Sequence, residues 1–232
     1  MGLETGTGIG DLVPTNPLST DAVSSGDDHI RLIKTVMQSI TFFKNIVTFT
    51  ASGTWTRPTG VRRVLVYCLG GGGGGGGGIV AGYSGGGGGS AASALKWVDV
   101  TAIASVTVTI GAGGAAGAIG AAGGAGTNTS FGSHCIAAPG LSGAASYSGG
   151  DINAVSASIG DIIFTGQQGH FGIPPQAGNT FGGNGGGAGG YNQATAQPNS
   201  GGGGGGGFSA PGVSSAGGAG GTGYAIVFEF GW

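Results

Sequence analysis

Beyond Lys96 the chain has no lysine and no arginine: its seven basic residues, Arg31, Lys34, Lys44, Arg57, Arg62, Arg63 and Lys96, all precede Trp97. Nucleic-acid phosphates are neutralised by cationic side chains, so the body that follows is expected to bind no nucleic acid. The same lack argues against an anionic-membrane patch. Charged residues of all kinds make up only 7% of the chain, which sets it apart from the highly charged chains that stay unfolded. Two cysteines, Cys68 and Cys135, make no disulfide scaffold. Buried free thiols are the first expectation for them and a bridge between them the second. With eight prolines and irregular glycine runs, a collagen repeat is excluded. No apolar run approaches the ~20 residues needed to cross a bilayer, so no membrane insertion is expected. The opening MGLETGTGIGDL lacks a basic n-region and an apolar core, so no secretory signal is expected.

What the chain has instead is glycine, 61 of 232 residues, against an ordinary share of about 7%. The glycines cluster in Gly70–Gly78, Gly85–Gly89, Gly111–Gly126, Gly182–Gly190, Gly201–Gly207 and Gly217–Gly223. A phosphate-binding loop would need a lysine behind one of these runs, and none has it. A flexible linker needs one such run, not a recurring series interleaved with apolar strands. The remaining option is polyglycine II, a left-handed helix with three residues per turn and about 3.1 Å rise, so that nine residues reach roughly 28 Å. Such a helix has no internal hydrogen bonds, and its N–H and C=O groups must be satisfied by neighbours. Without Cβ atoms, adjacent helices approach closely enough to do this. Each run is then stable only beside others, and the alanines of GAGGAAGAIGAAGGAG are expected to point outward.

Strands are predicted around these runs. VTFTASGTW alternates and ends at the turn Arg57-Pro58-Thr59-Gly60. Val61 to Leu69 is almost continuously apolar, as in a strand covered on both faces. Leu95–Val100, Val106–Ile110, Asp161–Thr165 and Gly223–Phe230 follow. Trp55 and Trp97 are expected in the core. Ahead of the strands, SSGDDHIRLIKTVMQSI reads as a helix capped by Ser25 or Asp27. Ile30, Ile33, Met37 and Ile40 form a heptad-like seam on it, and so short a helix is expected to bury that seam against copies of itself. The chain therefore divides into 1–44, an arm and trimerising helix, and 45–232, a glycine-rich body. The fold class expected is mainly β and irregular: a short N-terminal helix, then strands bracketing a polyglycine II bundle with protruding loops.

The stretch TNPLSTDAVSSGDDHIRLIKTVMQSI resembles the attachment segment of many bacteriophage tail-fibre proteins, whose hallmark is GDDHIRLIK. The following FTASGTWTRPTGVRRVLVYCLGGGGGGG, with the glycine-rich body and closing strand, is similar to the glycine-rich distal domains of such fibres. It also resembles the polyglycine-sandwich tip adhesins of T-even-type phages. The resemblance implies stacked polyglycine II helices, with loops between the glycine runs choosing a bacterial receptor. It implies a virion protein made in the host cytoplasm, its N-terminus joined to other tail or baseplate proteins. The chain lacks a long shaft, so a short homotrimeric fibre is expected. The alternative is a purely structural tail or baseplate component without receptor binding. An ice-binding role is a third reading, and it leaves GDDHIRLIK unexplained.

Candidate receptor contacts lie between glycine runs: Tyr83, Tyr147, Gln167, Gln168, His170, Phe171, Tyr191, Asn192 and Gln193. Aromatic rings and amides of this kind give adaptable contacts to a glycan or an outer-membrane protein. The competing role for each is to cap the bundle end against water. Neither enzyme activity nor a cofactor is expected. Asp151 and Asp161 are the only hint of a carboxylate pair for glycoside cleavage, and His134-Cys135 is half a metal site with no second pair at suitable spacing.

Overall fold

The computed structural model describes residues 30–35, 43–79, 83–145, 158–172, 193–210 and 213–231. Among the described residues the protein is mainly β, with one short helical stretch at residues 30–35. Its strands are β1 (Asn45–Phe49), β2 (Gly53–Thr56), β3 (Arg63–Leu69), β4 (Ser93–Asp99), β5 (Ser105–Thr109), β6 (Thr129–Phe131), β7 (Cys135–Ala137), β8 (Ile162–Phe164), β9 (Ser209–Ala210), β10 (Val213–Ser214) and β11 (Tyr224–Phe230). They form a five-stranded sheet in the order β1-β11-β3-β4-β8, a four-stranded sheet β2-β5-β6-β7, and the small pair β10-β9, with antiparallel pairing throughout.

The two larger sheets enclose one core. Val64, Val66 and Cys68 of β3, Ala94 and Val98 of β4, and Ala225 and Val227 of β11 meet Trp55, Val106, Val108, Phe131, Cys135 and Ala137 of the other sheet. These positions alternate along each strand because successive side chains point to opposite faces. The stretch VTFTASGTW is two strands, not one. It breaks at Thr50–Ser52, and β1 and β2 join different sheets, so the chain crosses from one layer to the other there. The short hairpin β6–β7 was not predicted; its turn uses Gly132 at φ +52°. Cys68 and Cys135 are both free and buried, packed between the sheets. The Cys135 side chain beside it and then burial push the Cys68 thiol above its ordinary pKa.

Two expectations are corrected on the five-stranded sheet. β3 is not covered on both faces along its length: Leu65 and Tyr67, on the outer face, stay partly exposed, and Leu69 at its end is enclosed. Trp97 is 44% exposed and lies outside the core. Pleat parity is the reason, because Ala94 and Val98 face inward and Trp97 must therefore face outward. It packs there on Phe230, ring centroids 4.9 Å apart. Across the outer face, register rows read Ile46–Phe228–Leu65–Trp97 and Thr48–Ile226–Tyr67–Leu95–Ile162.

At Leu69 the chain leaves β3 and enters Gly70–Gly78, the centre of the second half of the fold. The N–H groups of Gly70, Gly73 and Gly76 donate to Ala92, Gly89 and Gly86; those of Gly71, Gly74 and Gly77 to Thr127, Gly124 and Ala121; those of Gly72, Gly75 and Gly78 to Gly221, Gly218 and Ser215. Partners thus repeat every third residue, and each of three antiparallel neighbours takes one position in three. The carbonyls are used in the same rhythm by three parallel neighbours. Gly114, Gly117 and Gly120 donate to Gly72, Gly75 and Gly78; Gly140 and Gly143 to Gly71 and Gly74; Gly204 and Gly207 to Gly73 and Gly76. A residue bonded through both N–H and C=O gains about 0.5–1.5 kcal/mol net from each bond. That is comparable to the ~1–2 kcal/mol of backbone entropy lost on ordering it. The run holds its shape only because its neighbours surround it.

Side chains are excluded in proportion to this crowding. A Cβ on any of the nine glycines from 70 to 78 would collide with a neighbouring backbone carbonyl, that of Gly202 at Gly72 and that of Ala115 at Gly74. Peripheral runs face neighbours on one side and need glycine less often. In 166–172, Gly166, Gly169 and Gly172 are buried while Gln167, Gln168, His170 and Phe171 are exposed. In 111–117, Gly111, Gly114 and Gly117 are buried while Ala112, Ala115 and Ala116 are exposed, as expected for those alanines. The Gly182–Gly190 run lies outside the described residues.

Candidate functional site

The fold has two unlike ends. β1, β3 and β11 place Asn45, Arg63 and Glu229–Phe230 together, since Asn45 pairs with Glu229 and Phe230 with Arg63. The chain therefore enters the body and leaves it at one pole, the outer edge of the sheets. The glycine runs start at the other edge of the sheets and carry the chain away from it.

At the remote pole the turns collect. The N–H of Ile79 donates to Tyr83 at 2.8 Å, which closes the return from run 70–78 to run 84–92. Run 112–120 reverses at Gly120, whose φ of +75° suits glycine. The β9–β10 pair carries the reversal from run 201–208 to run 215–221, and the Ser209 hydroxyl donates to the Ile79 carbonyl, tying this turn to the first. Ala145, whose run lies parallel to 70–78, and Gly172, beside Ser84, end at the same pole. Gln193, bonded to Gly206, stands there too.

Tyr83 lies at this pole and is 39% exposed. Gln193 is there as well, exposed and at φ 65°. Gln167, Gln168, His170 and Phe171 are arranged differently from loop residues. The N–H groups of Ser90 and Gly87 donate to the carbonyls of Gln167 and His170, so the segment runs down the bundle's flank and displays these side chains as a strip. Tyr147, Tyr191 and Asn192 lie outside the described residues, in segments adjoining Ala145 and Gln193. Of the helix seam, Ile30 and Ile33 are exposed; Met37 and Ile40 lie outside the described residues.

Ile119 and Val213 were not singled out from the sequence, yet both stand exposed at the remote turns. Ile119 had a signal, as the single large side chain in Gly111–Gly126. Among the described residues, this pole carries no Asp, Glu, Lys or Arg. The described side chains there are neutral hydroxyls, amides, rings and aliphatic groups.

The hints of other chemistry have structural explanations. Asp161 accepts the Trp97 N–H at 2.9 Å, and Asp151 lies outside the described residues. Cys135 points into the core, its thiol 3.6 Å from the Ala94 carbonyl. Among the described residues, no three His, Cys, Asp or Glu side chains converge on a metal position.

Sheets at one pole, close-packed glycine runs behind them and neutral turns at the other define a glycine-dominated, mainly β protein. A family model described as a glycine-rich domain matches residues 48–228, and the chain belongs to that family. No curated protein matches the sequence.

Proposed function

We propose that the protein is a virion adhesin of the phage tail-fibre type, non-enzymatic, with its N-terminal arm held by other tail proteins and its remote turns meeting a bacterial surface receptor. The observation that carries this reading is the polarity of the body: the chain enters it at Asn45 and leaves it at Phe230, both at the sheet pole, while the described turns between glycine runs gather at the opposite one. An attachment segment at one end and a recognition surface at the other need this separation. The glycine runs, with their three-residue repeat of hydrogen-bond partners, are read as polyglycine II helices. Their role is to hold the turns rigidly away from the attachment point, so that little ordering cost is left for receptor binding. The neutral polar and aromatic character of the turns suits a glycan or an outer-membrane protein loop. The exposed Ile30 and Ile33 stripe supports self-association of the arm, read as a homotrimer.

The test is labelling of cells of the strain on which the parent virion grows, using the fluorescently tagged full chain. Wild-type protein is expected to label the cells and to compete with virion adsorption. A variant carrying Ile119→Arg and Val213→Arg is expected to lose at least tenfold in labelling while keeping its unfolding temperature. Absence of labelling by the wild type would overturn receptor binding in favour of a structural tail component. Unchanged labelling by the variant would overturn the assignment to the remote pole.

A further inference from the structure

The outer face of the five-stranded sheet is left open by everything that surrounds it among the described residues. A groove of about 640 Å³ crosses it, lined by Leu65, Tyr67, Leu95, Phe164, Ile226 and Phe228 among others. Around the groove Ile46 is 49%, Trp97 44%, Ile162 49% and Phe164 44% exposed. A continuous apolar area of this kind on a folded protein marks a contact surface. It lies on the flank of the sheet pole, well away from the remote turns, so receptor recognition there does not account for it.

We infer that this face is an interface between copies of the same chain. The inference rests on the self-association proposed above, and it locates that association in the body and not in the helix alone. Three observations choose a second copy over another partner. The face is apolar, as interfaces between permanently associated subunits are. Charged groups of both signs border it: Arg63 stands opposite Asp99 across β3 and β4 at its base, and Asp161 accepts the Trp97 N–H at its edge. A border of mixed sign complements a copy of itself, and complements poorly a partner of single charge sign. The third observation is the tether. Phe43 packs on Phe230 at the base of this face, ring centroids 6.0 Å apart, and eight residue steps separate it from Thr35 at the end of the described helix. Eight steps span at most about 28 Å. Helices joined through Ile30 and Ile33 would therefore hold the sheet faces of neighbouring copies at high effective concentration.

The experiment is sedimentation velocity of the full chain over a concentration series, run beside two variants. Wild type is expected to sediment as an oligomer. Trp97→Lys with Phe164→Lys is expected to move the dissociation midpoint at least tenfold upward in concentration, with circular dichroism and unfolding temperature showing that the body still folds. Ile33→Asp is expected to weaken association separately. A second measurement does not depend on a disruptive change. In an Ile46→Cys variant the native Cys68 and Cys135 stay buried, so a short bis-maleimide is expected to link chains through the new thiol. An oligomer that Ile33→Asp dissociates, with no effect of the sheet variant and no cross-link, would overturn the inference and leave helix-driven association standing. A wild-type monomer would overturn both. Neither result touches receptor binding, which is read from the remote-pole variant on cells.

Discussion

The sheet sandwich and the glycine bundle are consecutive along one chain, with β3 running into Gly70–Gly78, yet they are held in opposite ways. In the sandwich, Val64, Val66, Phe131 and their neighbours exclude water with side chains that fill the space between two sheets. In the bundle that space is filled by neighbouring backbones, and stability comes from saturating N–H and C=O groups with partners that repeat every third residue. The sandwich is therefore sensitive to what is removed from it, and the bundle to what is added. A methyl group, the smallest increment of hydrophobic burial, is an asset in the first and an obstruction in the second.

The sharpest way to break the comparison is Gly74→Ala. The new Cβ would overlap the Ala115 carbonyl and crowd that of Gly114, and these backbones are pinned by their own bonds to the same run. No side chain is present that could rotate away. The variant is expected to lose upwards of about 5 kcal/mol, the range reached only by drastic lesions, or to yield no folded bundle at all. Chemical denaturation of the full chain measures it. A loss below about 1 kcal/mol would mean that the bundle tolerates side chains and that its glycines serve another purpose.

A smaller effect is expected inside the sandwich from a change that removes a single donor. Glu229 is 1% exposed, and the indole N–H of Trp55 donates to its carboxylate at 2.8 Å. Trp55→Phe keeps most of the ring that packs on Phe131 and leaves the buried acid short of a partner. About 1–3 kcal/mol should be lost, with recovery in a variant that also carries Glu229→Gln, since the amide is less costly to bury. Denaturation midpoints of the single and double variants, compared as a cycle, decide this.

How much of this was legible in the sequence differs between the two halves. Strands β3, β4, β5, β8 and β11 announced themselves as apolar runs, because side-chain burial leaves a pattern in residue types. Trp97 misled because a large ring reads as core, whereas its facing is set by pleat parity relative to Ala94 and Val98. In the bundle the central run was legible from its nine glycines. Run 166–172 was not, because exposed side chains occupy two positions in three and its glycines recur only at 166, 169 and 172. The glycine fraction of a run follows how many neighbours enclose it, a tertiary property that no local pattern states. The remote pole was legible only in part, since Ile119 and Val213 are brought to the same end as Tyr83 by hydrogen bonds between distant runs.

The mildest prediction uses the solvent-facing side of the five-stranded sheet. Tyr67 sits half-buried on the outer face, its ring 5.7 Å from that of Tyr224, and burial is the chief reason its pKa is pushed up from 10.0 to about 12. A phenol that keeps its proton more tightly when folded adds stability below its unfolded pKa. That contribution is lost as pH rises from about 10 through about 12. Because solvent reaches part of the ring, the loss should be only about 1 kcal/mol, less than a fully enclosed phenol would give. Absorbance titration of phenolate in wild type and Tyr67→Phe measures it directly. The same titration bears on the interface: a second copy lying over Leu65 and Tyr67 would desolvate the phenol further, so its titration should move to higher pH as protein concentration rises. In the Trp97→Lys, Phe164→Lys variant, that dependence should move to at least tenfold higher concentration.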